Sequence, residues 1–183
     1  MRAAESPKQE GRAMDVTDAG RGRETPHLRE IVLFLSVHLD RAPGVLWPEY
    51  DNPAFGDADD AGALPAQGGV RPAQADRFTA ELGALTGLSV RLDRVETPGS
   101  TPGGGTDAVW TAQHGGREHL LLHQIAGAVT WQLTGTGESG RPESFQCRLL
   151  PGELLYVPAG WSRRYIEAQG AQYAVVCLGP QGG

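Results

Sequence analysis

From Leu88 onward the chain is cut into short apolar runs by glycine and proline, and one stretch shows the pattern best: Pro151-Gly152-Glu153-Leu154-Leu155-Tyr156-Val157-Pro158-Ala159-Gly160-Trp161-Ser162-Arg163. A Pro-Gly turn opens it, an apolar run follows, and a Pro-x-Gly turn closes it. Turn chemistry on both sides of a short β-rich run places a strand in a barrel or sandwich. Comparable runs occupy 107–112, 119–125, 129–133, 145–150, 164–167 and 172–178. Residues 88–95 alternate, with Leu88, Val90 and Leu92 on one face and Ser89, Arg91 and Asp93 on the other, as a half-buried strand does. Many short strands at regular spacing indicate a mainly β fold of the jelly-roll kind. The 26 glycines and 13 prolines among 183 residues favour turns over long helices.

Two helices precede the strands. In 27–39, Leu28, Ile31, Val32, Leu35 and Leu39 recur at helical spacing behind Pro26, which suits a first turn. A strand over 31–37 is the alternative. In 72–87, Phe78, Leu82 and Leu85 form an apolar stripe and Gly87 suits a C-terminal cap. Residues 1–25 are charged and poor in large apolar side chains, so a disordered tail is expected before a single domain over 26–183. Met14 is a second possible start. Residues 45–70 are expected as a long loop carrying Trp47, Tyr50 and Phe55, either a functional lid or a poorly ordered insert. A Gly/Pro-rich loop is expected over 97–106.

Charge narrows the function classes. The formal net charge is −6 and no basic stripe occurs, which disfavours nucleic acid as a partner. No apolar run approaches the roughly 20 residues of a membrane helix, and the N-terminus lacks the apolar core of a secretory signal. A cytoplasmic location is the expectation. Cys147 and Cys177 suggest neither a disulfide framework nor a zinc knuckle, and Cys177 sits in an apolar run as a small buried hydrophobe.

Gly152, Pro158, Gly160 and Arg163 match in spacing the second signature of the cupin superfamily: Gly, five residues, Pro, one residue, Gly, two residues, then a metal-binding His. The wording resembles the JmjC-like cupin hydroxylases. Leu85-Thr86-Gly87-Leu88-Ser89-Val90, Thr97-Pro98-Gly99-Ser100 and the run from Leu122 to Trp131, with its Gln124, Gly127 and Trp131, follow in the family's order. The resemblance covers about 73–179. It implies a cupin double-stranded β-helix barrel with one or two N-terminal helices. It also implies a non-haem iron, 2-oxoglutarate-dependent oxygenase ancestry, in which two histidines and one carboxylate hold Fe(II).

The ligand positions depart from that pattern. The first histidine falls on His114, the carboxylate position on Gly116, and the second histidine on Arg163. Thr130 stands where the family often has a basic residue for the co-substrate. An arginine stays charged and does not ligate iron. If Arg163 points into the barrel, it meets an anionic ligand or a carboxylate such as Glu153 or Glu118. If Arg164 points inward, Arg163 is a solvated charge, because neighbours on a strand face opposite ways. A rearranged metal site could use His114 with Glu118, or His119 and His123. On a strand the last two lie about 13 Å apart and read as wall residues. Trp161 and Tyr165 read as barrel-mouth aromatics or as packing.

Two functions follow from the resemblance. In the first, the protein is a cupin-fold relative without iron or another cofactor that binds a small molecule, a peptide or a partner protein. Arg163, Gln124, Thr130, Trp161 and Tyr165 would line its site. In the second, it is an active hydroxylase with Fe(II), 2-oxoglutarate and a rearranged metal site. The family's frequent dimerisation also implies a possible homodimer.

Overall fold

A computed structural model describes residues 25–55, 70–98, 118–137 and 140–180. The elements run α1 (Pro26–His38), β1 (Gly44–Leu46), α2 (Pro72–Thr86), β2 (Leu88–Glu96), β3 (His119–Thr136), β4 (Pro142–Leu149), β5 (Leu154–Val157) and β6 (Ser162–Pro180). The expected strand over 107–112, almost all of the expected tail, most of the 97–106 loop and the interior of the 45–70 loop lie outside the described residues.

Both helices begin on a proline, whose fixed φ suits the first turn and whose missing N–H is not needed there. Helix α1 buries Leu28, Ile31 and Leu35, so the helical reading of this segment holds over the strand alternative. It ends where Asp40 takes φ 60°, a left-handed conformation that aspartate tolerates better than most residues. Helix α2 ends at Gly87, whose φ of 70° is free of strain and whose N–H donates to the Gly83 carbonyl at 2.9 Å.

The six strands form one antiparallel sheet in the order β1-β5-β3-β6-β2, with β4 also paired to β3. Among the described residues this path does not close on itself. The expected loop over 45–70 gives its first residues to β1, an edge strand on β5. The expected pairs of strands at 119–125 and 129–133, and at 164–167 and 172–178, are instead single long strands, β3 and β6. Gly127 (φ 62°) and Gly170 (φ 53°) absorb the irregularity as bulges rather than ending the strands. They sit at the same level of the β3–β6 ladder, between the pairs Ala126–Gln172 and Ala128–Gln169. Both long strands therefore deviate together. Beyond their pairing with each other, the second half of β3 pairs with β4 and its first half with β5, while the second half of β6 pairs with β2.

Each face of the sheet has its own apolar cluster. On the helix face, Leu28, Ile31, Leu35, Phe78 and Leu82 pack on Leu121, Ile125, Leu154, Tyr156, Ala174, Val176 and Leu178. On the other, inner face, Leu122, Leu155, Val157, Tyr173 and Val175 from one half meet Val129, Trp131, Leu133, Leu149 and Trp161 from the other. Packing of both halves into one cluster means that the sheet folds toward its inner face. Strand β5 is buried at all four positions, because it lies between β1 and β3 with an apolar cluster on either side. Cys177 is buried as a free thiol, and Cys147 is also free.

Candidate functional site

The inner face gathers a small group of charged side chains at the end of β2 and the start of β6. Strict alternation from Leu88, Val90 and Leu92 would put Arg94 and Glu96 on the helix face. A register shift between Leu92 and Arg94 reverses this: Leu92 is opposite Val176 of the helix-face cluster, whereas Arg94 is opposite Val175 of the inner cluster. One extra residue, Asp93, thereby turns Arg94 and Glu96 inward. The Tyr173 hydroxyl donates to Glu96 Oε2, and Arg94 Nε donates to Glu96 Oε1. Asp93 is bonded in turn by Arg94 and by Arg91, and Arg91 also reaches Glu118 at 2.9 Å.

Arg163 lies at the inner end of this chain of charges. It sits two residues before Tyr165, on the same side of β6, and its Cα partner on β3 is Leu133. Only 7% of it is exposed. Its Nη2 is 3.9 Å from Glu96 Oε1, an ion-pair separation too long for a hydrogen bond. Among the described residues its guanidinium makes no hydrogen bond. Burial pulls its pKa down, opposed mainly by Glu96, and burial also pushes the Tyr173 hydroxyl up. The guanidinium still keeps its charge, as arginine does at any working pH, and the phenol stays neutral. Arg164 is exposed and donates Nε to Gln132 Oε1 at 2.6 Å. Of the two neighbours, then, Arg163 is the inward one. Its carboxylate is Glu96, not the expected Glu153 or Glu118. Glu153 accepts the Leu150 N–H at 2.8 Å, and Glu118 pairs with Arg91.

The walls around it are aromatic. Trp131 meets Tyr173 edge to face at 5.0 Å and Tyr165 at 6.4 Å. Trp161 is buried in the same cluster, and its ring lies so close to Gly135 that a Cβ there would come within 2.3 Å of it. Gln124 is fully buried, alternates with the helix-face residues His123 and Ile125, and donates Nε2 to the Ala126 carbonyl at 2.7 Å. Among the described residues Gln124 Oε1 and Trp131 Nε1 are buried without a partner. Of the residues expected to line a ligand site, Arg163, Gln124, Trp161 and Tyr165 share the inner face. Thr130 does not. It lies between the inward Val129 and Trp131, so the pleat points it the other way.

The candidate metal ligands are dispersed. His114 lies outside the described residues. His119 and His123 sit on the helix face of β3, turned away from Arg163. His119 is a cross-link: Nδ1 accepts from the Ala159 N–H at 3.0 Å and lies 2.8 Å from the Tyr156 hydroxyl, while Nε2 lies 3.1 Å from Asp40 Oδ1. An Nδ1 that accepts from a backbone amide leaves its proton on Nε2, facing Asp40. Burial lowers the pKa of His119 against the pull of Asp40. His123 is sealed in the core, edge-on to Phe55 at 4.9 Å, and among the described residues neither ring nitrogen is in a well-formed hydrogen bond. Burial drives its pKa down to about 4, although the carbonyls of Glu153 and Phe55 pull it upward. Among the described residues no three histidine, cysteine or acidic side chains converge as a metal site.

A separate cleft of about 150 Å³ opens on the helix side, lined by Thr25, His27, Asn52, Phe78, Arg77 and Glu81 among others. Its Arg77 and Glu81 pair with each other at 2.7 Å. Sequence reading missed this cleft, as it missed Arg94, Glu96 and Tyr173. The cleft has no linear motif, and the inward turn of Arg94 and Glu96 depends on the bulge. None of the described helices is long and apolar enough to cross a membrane.

A scan of protein-family models finds no match to the chain, and a search of curated proteins finds no significant relative.

Proposed function

We propose that this protein is a cupin-like relative of the JmjC-like hydroxylases that binds a small-molecule or peptide ligand on its inner face without iron. The observation that carries this reading is the inward, buried Arg163. It occupies the position at which the resembled family places its second metal-binding histidine. A guanidinium has no lone pair for a metal and keeps its charge, so it repels a cation at that point. The carboxylate position falls on Gly116, which has no donor side chain. The donor set therefore does not fit Fe(II), and no oxidative step is assigned to it. The bend of β3 and β6 at Gly127 and Gly170, with side chains of both halves packed inside, supports a jelly-roll relationship.

The test is metal analysis of the purified full chain after incubation with Fe(II), together with oxygen-dependent turnover of 2-oxoglutarate. The expected result is substoichiometric iron and no turnover above a metal-free control. Stoichiometric iron with 2-oxoglutarate consumption would overturn the reading in favour of a hydroxylase with a rearranged site.

A further inference from the structure

We infer that the inner face holds an oxyanion site in which Arg163 grips the carboxylate of a small organic acid. The inference deepens the metal-free reading above and rests on it. Arg163 carries five N–H donors in a planar fork, is 7% exposed, and makes no hydrogen bond to any described residue. A buried cation left in this way is costly unless something pairs with it. Among the described residues the carboxylate paired with it is Glu96 at 3.9 Å, and both oxygens of Glu96 are already engaged, one by Arg94 and the other by Tyr173. The fork is thus open to a further acceptor, and a carboxylate is the planar group that matches it with two parallel bonds.

Two features narrow the class of acid. Arg94 pairs with Glu96, so these two and Arg163 together carry one net positive charge, which a monocarboxylate neutralises and a dianion such as phosphate exceeds. Beside this cluster Trp131 packs edge to face on Tyr165 and Tyr173, and aromatic surface of this kind favours an apolar or aromatic body behind the charged head. An aromatic monocarboxylate satisfies both.

The experiment titrates the full chain with benzoate, acetate, inorganic phosphate and benzamide, reading tryptophan fluorescence and the shift in melting temperature. Benzoate is expected to bind saturably and more tightly than acetate. Benzamide, with the same shape and no charge, is expected not to compete. In Arg163→Met benzoate binding falls by at least about tenfold, the loss expected when a charged hydrogen-bonding group is removed. Arg163→Lys keeps the charge but not the fork and falls in between. Absence of saturable benzoate binding overturns the inference, as does benzamide competing equally or Arg163→Met binding like the parent. Phosphate binding as tightly as benzoate overturns the carboxylate assignment. The benzamide comparison uses the unaltered protein, so it decides the matter even if Arg163→Met fails to fold. Iron loading with turnover overturns the preceding reading, whereas an iron-free protein indifferent to benzoate overturns this one alone.

Discussion

His123 shows how much one buried side chain can decide. It is 2% exposed, its ring nitrogens have no well-formed partner, and its pKa is depressed to about 4. Its ordinary value of 6.5 returns when the chain unfolds. Between those values the unfolded state binds the extra proton, so stability falls as pH falls. The loss begins near pH 6.5 and is complete below about 4, and it amounts to about 3 kcal/mol from this residue. Burial depresses His27 and His119 in the same direction. His123→Leu is therefore expected to match or exceed the parent in stability at pH 7, because it removes a buried polar ring whose nitrogens make no well-formed hydrogen bond among the described residues. It is also expected to lose less stability on acidification. Urea unfolding of both proteins at pH 7 and pH 4.5 measures this, and equal acid losses would contradict it. Arg163 is the same problem with the other answer. A guanidinium cannot shed its proton at any working pH, so its charge must be met by a partner.

At the scale of elements, Tyr156 and His119 tie the end of α1 to the sheet. The Tyr156 hydroxyl accepts the Asp40 N–H at 3.0 Å and meets His119 Nδ1 at 2.8 Å. His119 also holds the turn after β5 through Ala159. Burial raises the Tyr156 hydroxyl to about 12, so it stays a neutral donor throughout. Tyr156→Phe removes the hydroxyl and leaves the Asp40 amide without its acceptor. The expected cost is about 1–2 kcal/mol, with faster hydrogen exchange at the Asp40 amide. Unchanged exchange there would show that the cross-link does not hold the corner.

At the scale of the whole molecule, one sheet supports two cores. Leu121 and Leu122 are neighbours in β3, both fully buried, yet Leu121 packs under the helices and Leu122 on the inner face. Each substitution to alanine is expected to cost about 2–5 kcal/mol. Because both cores share β3, β5 and β6, both variants should unfold in a single transition lowered by similar amounts. Two transitions, or a loss confined to one probe, would mean that the clusters melt separately.

Local signals in the sequence sufficed for much of this. Pro72 and Gly87 bound α2 almost to the residue, because a proline's φ and a glycine's left-handed cap are set by the residues themselves. The strand character of β2 to β6 was equally legible from turn chemistry and alternation. The direction of Arg163 was not, because it and Arg164 are interchangeable until the pairing of β6 with β3 fixes which one faces inward. Likewise Arg94 and Glu96 belong by simple alternation with Leu92, and only the bulge at Asp93, seated against β6, turns them inward. Conformational preference is a property of a few adjacent residues. The face a side chain occupies is a property of the strand beside it, and the charge cluster at Arg163 exists only through that second kind of information.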